Sequence, residues 1–116
     1  VFNFVIREIP RDIKRLAEWS GEDLQGLDYY VFHQANNFIN TYLAKKLRLD
    51  AERIPSTIAK FGNTSSVSVP LTIASELKGR MEGDRKLLLS AFGVGMTWGT
   101  AVVPFRDLRI SDLVEV

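Results

Sequence analysis

The chain has 116 residues, 46% of them hydrophobic and 25% charged, the make-up of one globular domain, which excludes disorder and fibrous repeats. Fifteen Lys and Arg stand against fourteen Asp and Glu, for a net charge of +1, so the cationic surplus that marks binding to nucleic acid or an anionic membrane is missing. With no cysteine and one histidine, His33, the chain itself supplies no disulfide, thiol nucleophile or multi-histidine metal site.

Phe2, Val5, Ile6, Ile9, Ile13, Leu16 and Trp19 recur at spacings of three and four, one face of an amphipathic helix. Pro10 inside that pattern predicts a kink or a later start. Gly21 to Gly26 is a polar connection, and Tyr29-Tyr30-Val31-Phe32 reads as a strand buried on both faces. His33-Gln34-Ala35-Asn36 follows, then a helix carrying Phe38, Ile39, Tyr42, Leu43 and Leu47. Lys45, Lys46 and Arg48 close it where the helix dipole favours cations.

A second short strand is predicted over Ile54 to Ile58, weakened by Pro55. Phe61 to Ser66 forms a turn into another helix, with Pro70 in its first turn, where the missing N–H costs nothing. Leu71, Ala74, Ser75, Leu77 and Met81 continue that helix to Gly83-Asp84. Lys86 to Phe92 is a third strand and Met96 to Val103 a fourth, antiparallel to it across a glycine turn. Leu87 to Phe105 carries no charge and on length alone just spans a bilayer, but Gly93, Gly95, Gly99, Ser90, Thr97 and Thr100 argue for two buried strands instead. The order α-β-α-β-α-β-β predicts an α/β layered domain with a mainly parallel sheet. The domain is taken as residues 1–104, with 105–116 as a tail. The start at Val1, with neither Met nor a signal-peptide pattern, reads as an excised piece of something longer.

Ligands of open α/β sheets bind outside the carboxyl ends of the strands. His33, Asn63 and Gly93-Val94-Gly95 each follow a predicted strand and so converge on one edge. An imidazole, a carboxamide and a backbone N–H placed together would stabilise negative charge developing on an oxygen. Each also has a plain structural reading: His33 as a hydrogen-bonded core residue, Asn63 after Gly62 as turn chemistry, and Ser65, Ser66 and Ser68 as helix caps instead of nucleophiles. Gly93-Val94-Gly95 joins two strands, unlike a dinucleotide loop. Tyr29, Tyr30 and Trp98 read as core.

Three strings occur here in order: His33-Gln34-Ala35-Asn36; Gly62-Asn63-Thr64-Ser65-Ser66 followed by Val69-Pro70; and Phe92-Gly93-Val94-Gly95-Met96-Thr97-Trp98-Gly99. Together, over about Val1 to Val103, they resemble the C-terminal half of a β-ketoacyl-acyl-carrier-protein synthase III. The His…Asn pair is unlike the elongating ketosynthases, whose pattern uses two histidines. The resemblance implies a thiolase-like half, a mainly parallel mixed sheet with helices packed on it. The nucleophilic cysteine would lie in the N-terminal half. It implies decarboxylative condensation of an acyl-CoA primer with malonyl-acyl-carrier protein in fatty acid biosynthesis, without metal or cofactor, in a cytoplasmic homodimer.

By the same resemblance His33 and Asn63 are catalytic and stabilise the enolate. The Val94 backbone N–H supplies half of an oxyanion hole, and Asn36, Phe92 and Gly93 contact substrate. The implied partners are acyl-CoA, acyl carrier protein and the N-terminal half of the same protein. Phe38 stands where the family often carries Arg, and Val94 where a small residue is usual. A related acyltransferase, a specialised polyketide condensing enzyme and a non-catalytic acyl-pantetheine-binding or dimer scaffold are the alternatives.

Overall fold

The computed structural model describes residues 2–115. Helix α1 (Phe2–Ser20) leads into strand β1 (Tyr29–Phe32), helix α2 (Asn37–Leu47), a short helix α3 (Ile58–Phe61), helix α4 (Ser68–Glu76) and the strands β2 (Asp84–Gly93) and β3 (Thr97–Arg106). The sheet has the order β1-β2-β3. β1 runs parallel to β2 with Tyr29 opposite Leu87 and Phe32 opposite Ser90, and β2 and β3 form an antiparallel hairpin from Asp84–Arg106 to Gly93–Thr97.

The two-residue alternation of the strands sorts their side chains onto two cores. Tyr30, Phe32, Leu88 and Phe92 pack with Val5, Ile9 and Ile13 of α1 and Ile39, Leu43 and Leu47 of α2. Val31 and Leu87 turn to the other face, against Leu77, Met81, Ile73 and Val69. The sheet is therefore a middle layer, with α1 and α2 on one side and α4 on the other.

Pro10 does not break α1, which runs through it with Pro10 buried beside Ile9. Trp19, expected on the apolar face, is exposed at the end of the helix. At the end of α2 Arg48 takes the left-handed conformation, φ 56° and ψ 47°, and its N–H bonds the last carbonyls.

The expected strand over Ile54 to Ile58 is absent. The chain there makes a single helical turn at Ala51–Arg53, then Pro55, then α3. Pro55 has no N–H for a ladder, and the Thr57 N–H is taken by a side chain instead. The sheet is accordingly mixed, with one parallel and one antiparallel strand pair, and the antiparallel hairpin is the longer of the two. Helix α4 stops at Glu76 instead of reaching Gly83, because Gly79 adopts φ +80° in the turn that follows. Met81 still reaches the core from that turn.

The charge-free run is the β2–β3 hairpin, and among the described residues no helix is long and apolar enough to cross a membrane. β3 continues to Arg106. Beyond it the Asp107 carboxylate accepts from the Gly83 N–H (2.6 Å), and Leu108 and Ile110 pack on the second core.

Candidate active site

His33 is placed by backbone before its side chain does anything. Its N–H donates to the Ser90 carbonyl (2.9 Å), carrying the parallel ladder one residue past β1. Its ring meets the Phe92 ring edge-on at 5.3 Å, and Nδ1 lies 2.5 Å from the Ser68 hydroxyl. Burial lowers the pKa of this imidazole below its ordinary 6.5, because a low-dielectric surrounding disfavours the cation. It is a neutral ring at physiological pH.

Asn63 arrives by a different route from the one its spacing implied: it follows helix α3, not a strand. Gly62 ends that helix at φ 65°, ψ −152°, a conformation essentially reserved for glycine. The Asn63 side-chain oxygen then accepts from the Ser65 N–H (2.9 Å), while Ser65 itself sits at φ 58°. With its oxygen occupied, the carboxamide presents its NH₂ as the free end. The Lys60–Glu76 ion pair (2.7 Å) clips α3 to α4, and donation from Lys60 and Ser75 holds the Glu76 carboxyl below the usual range.

Both residues line one cleft of about 850 Å³, with Phe92, Gly93, Val94, Trp98 and Ser68 among its walls. Val94 occupies the tip of the hairpin, 92% exposed, and Gly95 (φ +111°) takes the positive angle the turn requires. Val94 is spared that angle, so its side chain is compatible with the turn.

Asn36 is the one predicted contact residue outside this cleft. Its side-chain oxygen caps α2 by accepting from the Ile39 N–H (2.9 Å). Trp98, read as core from sequence, is 43% exposed and lines the cleft, edge-on to Phe4 at 4.8 Å. Phe38 is exposed on α2 and stacks on Phe2 at 5.4 Å.

Beneath the site runs a polar network that spacing alone did not reveal. Gln34, Thr57, Ser68 and Thr72 are all at most 1% exposed. The Gln34 amide donates to the Phe32 carbonyl (2.8 Å), and its oxygen accepts from the Thr57 N–H (3.0 Å) and the Ser56 hydroxyl (3.2 Å). The Thr57 hydroxyl pairs with that of Thr72 (3.0 Å), which donates to the Ser68 carbonyl (2.7 Å). The network ties the end of β1, which bears His33, to the start of α3, which leads to Asn63, and to the start of α4. Its one legible signal was a glutamine two residues beyond an apolar strand, where a buried polar group demands partners.

This arrangement offers a neutral imidazole and a carboxamide NH₂ as hydrogen-bond donors in one pocket. Ser68 is the nearest hydroxyl, and its burial keeps it from attacking a bound molecule. Fold and site together define an α/β domain, a mixed sheet between helices with a donor-bearing cleft. Residues 17–105 match the family described as 3-oxoacyl-[acyl-carrier-protein] synthase III C terminal, and the chain belongs to that family.

Among relatives, the chain is 38% identical over 106 residues to β-ketoacyl-[acyl-carrier-protein] synthase III of Streptococcus gordonii, covering 89% of this chain and 33% of that one. Among solved structures, it is similar to a 3-oxoacyl-(acyl-carrier protein) synthase from Burkholderia xenovorans, at 41% identity and TM-score 0.94, over 100% of this chain and 34% of the other. It is also similar to 3-oxoacyl-(acyl carrier protein) synthase III from Pseudomonas aeruginosa, at 34% identity and TM-score 0.83, over 96% and 35%. The chain thus spans about a third of the length of the relatives it matches.

Proposed function

We propose that this half-domain supplies the decarboxylation and enolate-stabilising groups of a β-ketoacyl-acyl-carrier-protein synthase III. The observation that carries the reading is the presence of His33 and Asn63 in a single cleft, the Asn63 oxygen already satisfied and its NH₂ left to donate. A cysteine in the N-terminal half attacks an acyl-CoA, forming an acyl thioester and releasing CoA. Malonyl-acyl-carrier protein then loses CO₂, and the electron pair of the broken C–C bond passes through the α-carbon onto the thioester oxygen. His33 and Asn63 donate hydrogen bonds to that oxygen as its charge grows, when their contribution is largest. The carbanion attacks the acyl-cysteine, the Val94 N–H donates to the oxygen of the tetrahedral intermediate, and the cysteine leaves as thiolate. Phe92 and Gly93 wall the acyl site. Asn36, whose side-chain oxygen caps α2, contacts the pantetheine arm. The working form is a cytoplasmic homodimer that needs no metal or cofactor.

The test separates the two half-reactions in the full-length protein. Asn63→Asp replaces a donor with a carboxylate beside the developing charge. Condensation falls roughly a hundred- to a thousandfold, while acylation of the cysteine, followed by intact mass, stays within a few-fold. Equal loss of both steps would overturn the role given to Asn63.

A further inference from the structure

We propose that the Ser68 hydroxyl is a positioning group that sets the tautomer of His33, donating to Nδ1 so that Nε2 carries the ring proton. The assignment follows from counting donors and acceptors around one buried oxygen. A serine hydroxyl has one proton to give and can accept twice. The Ser68 oxygen already receives the Gln34 N–H (3.4 Å), and Nδ1 is its 2.5 Å neighbour. Were Nδ1 protonated, this oxygen would accept from both sides and its own proton would need a further acceptor. Among the described residues none lies within hydrogen-bond distance, and at 1% exposure water does not reach it. A buried hydroxyl proton left unpaired is costly, so the proton goes to Nδ1 and the ring N–H is at Nε2.

The surroundings hold this geometry in place. Ser68 is the first residue of α4, and its carbonyl accepts from Thr72, itself paired with Thr57. The His33 backbone is fixed on β2 through Ser90. Donor and ring are therefore anchored on separate layers of the fold, with little freedom to trade roles. Nε2 has no protein partner among the described residues, so a fixed Nε2–H is available to the cleft. The catalytic value of this tautomer rests on the function proposed above; the tautomer itself does not.

The experiment uses full-length protein labelled with ¹⁵N-histidine and long-range ¹H–¹⁵N correlation, with His33→Gln identifying the His33 signals. In the wild type Nδ1 reads as an unprotonated ring nitrogen and Nε2 as protonated. Ser68→Ala gives a mixture of tautomers, and condensation falls roughly ten- to a hundredfold with cysteine acylation unchanged. Ser68→Thr, which keeps the hydroxyl, restores the wild-type pattern. Thr72→Val, which removes a neighbouring hydroxyl but not the one on Nδ1, keeps the Nε2–H tautomer.

A wild-type Nδ1–H tautomer would overturn the proposal, as would a Ser68→Ala spectrum identical to wild type. Because the wild-type spectrum decides the assignment alone, a Ser68→Ala variant that fails to fold does not rescue it. A changed tautomer with undiminished condensation would uphold the role of Ser68 and instead overturn the role given to His33.

Discussion

Replacing Gln34 with leucine isolates what the buried network contributes. Leucine is close in volume, so the space is filled, but three hydrogen bonds disappear. The Thr57 N–H is then orphaned in a residue with no exposure, at roughly 1–3 kcal/mol. Loss of the bond to the Phe32 carbonyl adds about 0.5–1.5 kcal/mol, the net worth of a typical hydrogen bond. Ser56 is exposed, and its hydroxyl turns to water at little cost. The sum is a loss of about 1.5–4.5 kcal/mol, read as a lower urea midpoint at unchanged slope in full-length protein. Ser56→Ala, the control, stays within about 0.5 kcal/mol of wild type. A Gln34→Leu variant as stable as Ser56→Ala would refute the reasoning, since Thr57 would then have another partner.

Two further outcomes follow from the backbone and from the histidine. Gly62→Ala forces an L-residue into φ 65°, ψ −152°. It costs about 1–3 kcal/mol and displaces Asn63, so condensation drops while cysteine acylation persists; a neutral, fully active Gly62→Ala would contradict the strain argument. The lowered pKa of His33 gives a signed dependence on pH. Below 6.5 the unfolded chain takes up a proton that the folded ring refuses, so the His33 contribution, whole above that pH, is lost as pH falls through the folded value. Urea midpoints between pH 8 and 5 should therefore fall more steeply for wild type than for His33→Gln. Parallel curves would rule the effect out.

Much of the architecture was legible because apolar periodicity and turn residues agree with it: α1, β1, α2 and the β2–β3 hairpin stand where spacing put them. The strand that failed, Ile54 to Ile58, is the one whose own residue argued against it, since Pro55 cannot join a ladder. Helix α4 was read too long because an apolar pattern through Leu77 and Met81 fits a turn folding back onto the core as well as a helix. Pro10 shows the reverse: packing beside Ile9 outweighed a local helix breaker. His33, Gly93 and Val94 reached the cleft by the route their strands implied. Asn63 reached it from α3, so the convergence was right and the path was not. Ser68 was visible as a helix-start serine, but its place under the His33 ring depends on how α4 packs across the sheet, which spacing within one segment does not encode. Asn36 was singled out for substrate contact, and its side-chain oxygen also caps α2, a helix-start role its position before the apolar run already suggested.

The central claim is that His33 and Asn63 serve a condensation on an acyl group held elsewhere in the protein. Its most direct test is to incubate full-length protein with acyl-CoA, record the intact mass, and then add malonyl-acyl-carrier protein. The account predicts a covalent acyl adduct that malonyl thioester discharges with release of CO₂ and a β-ketoacyl product. An adduct that malonyl thioester leaves untouched, while another acceptor removes the acyl group, would contradict it.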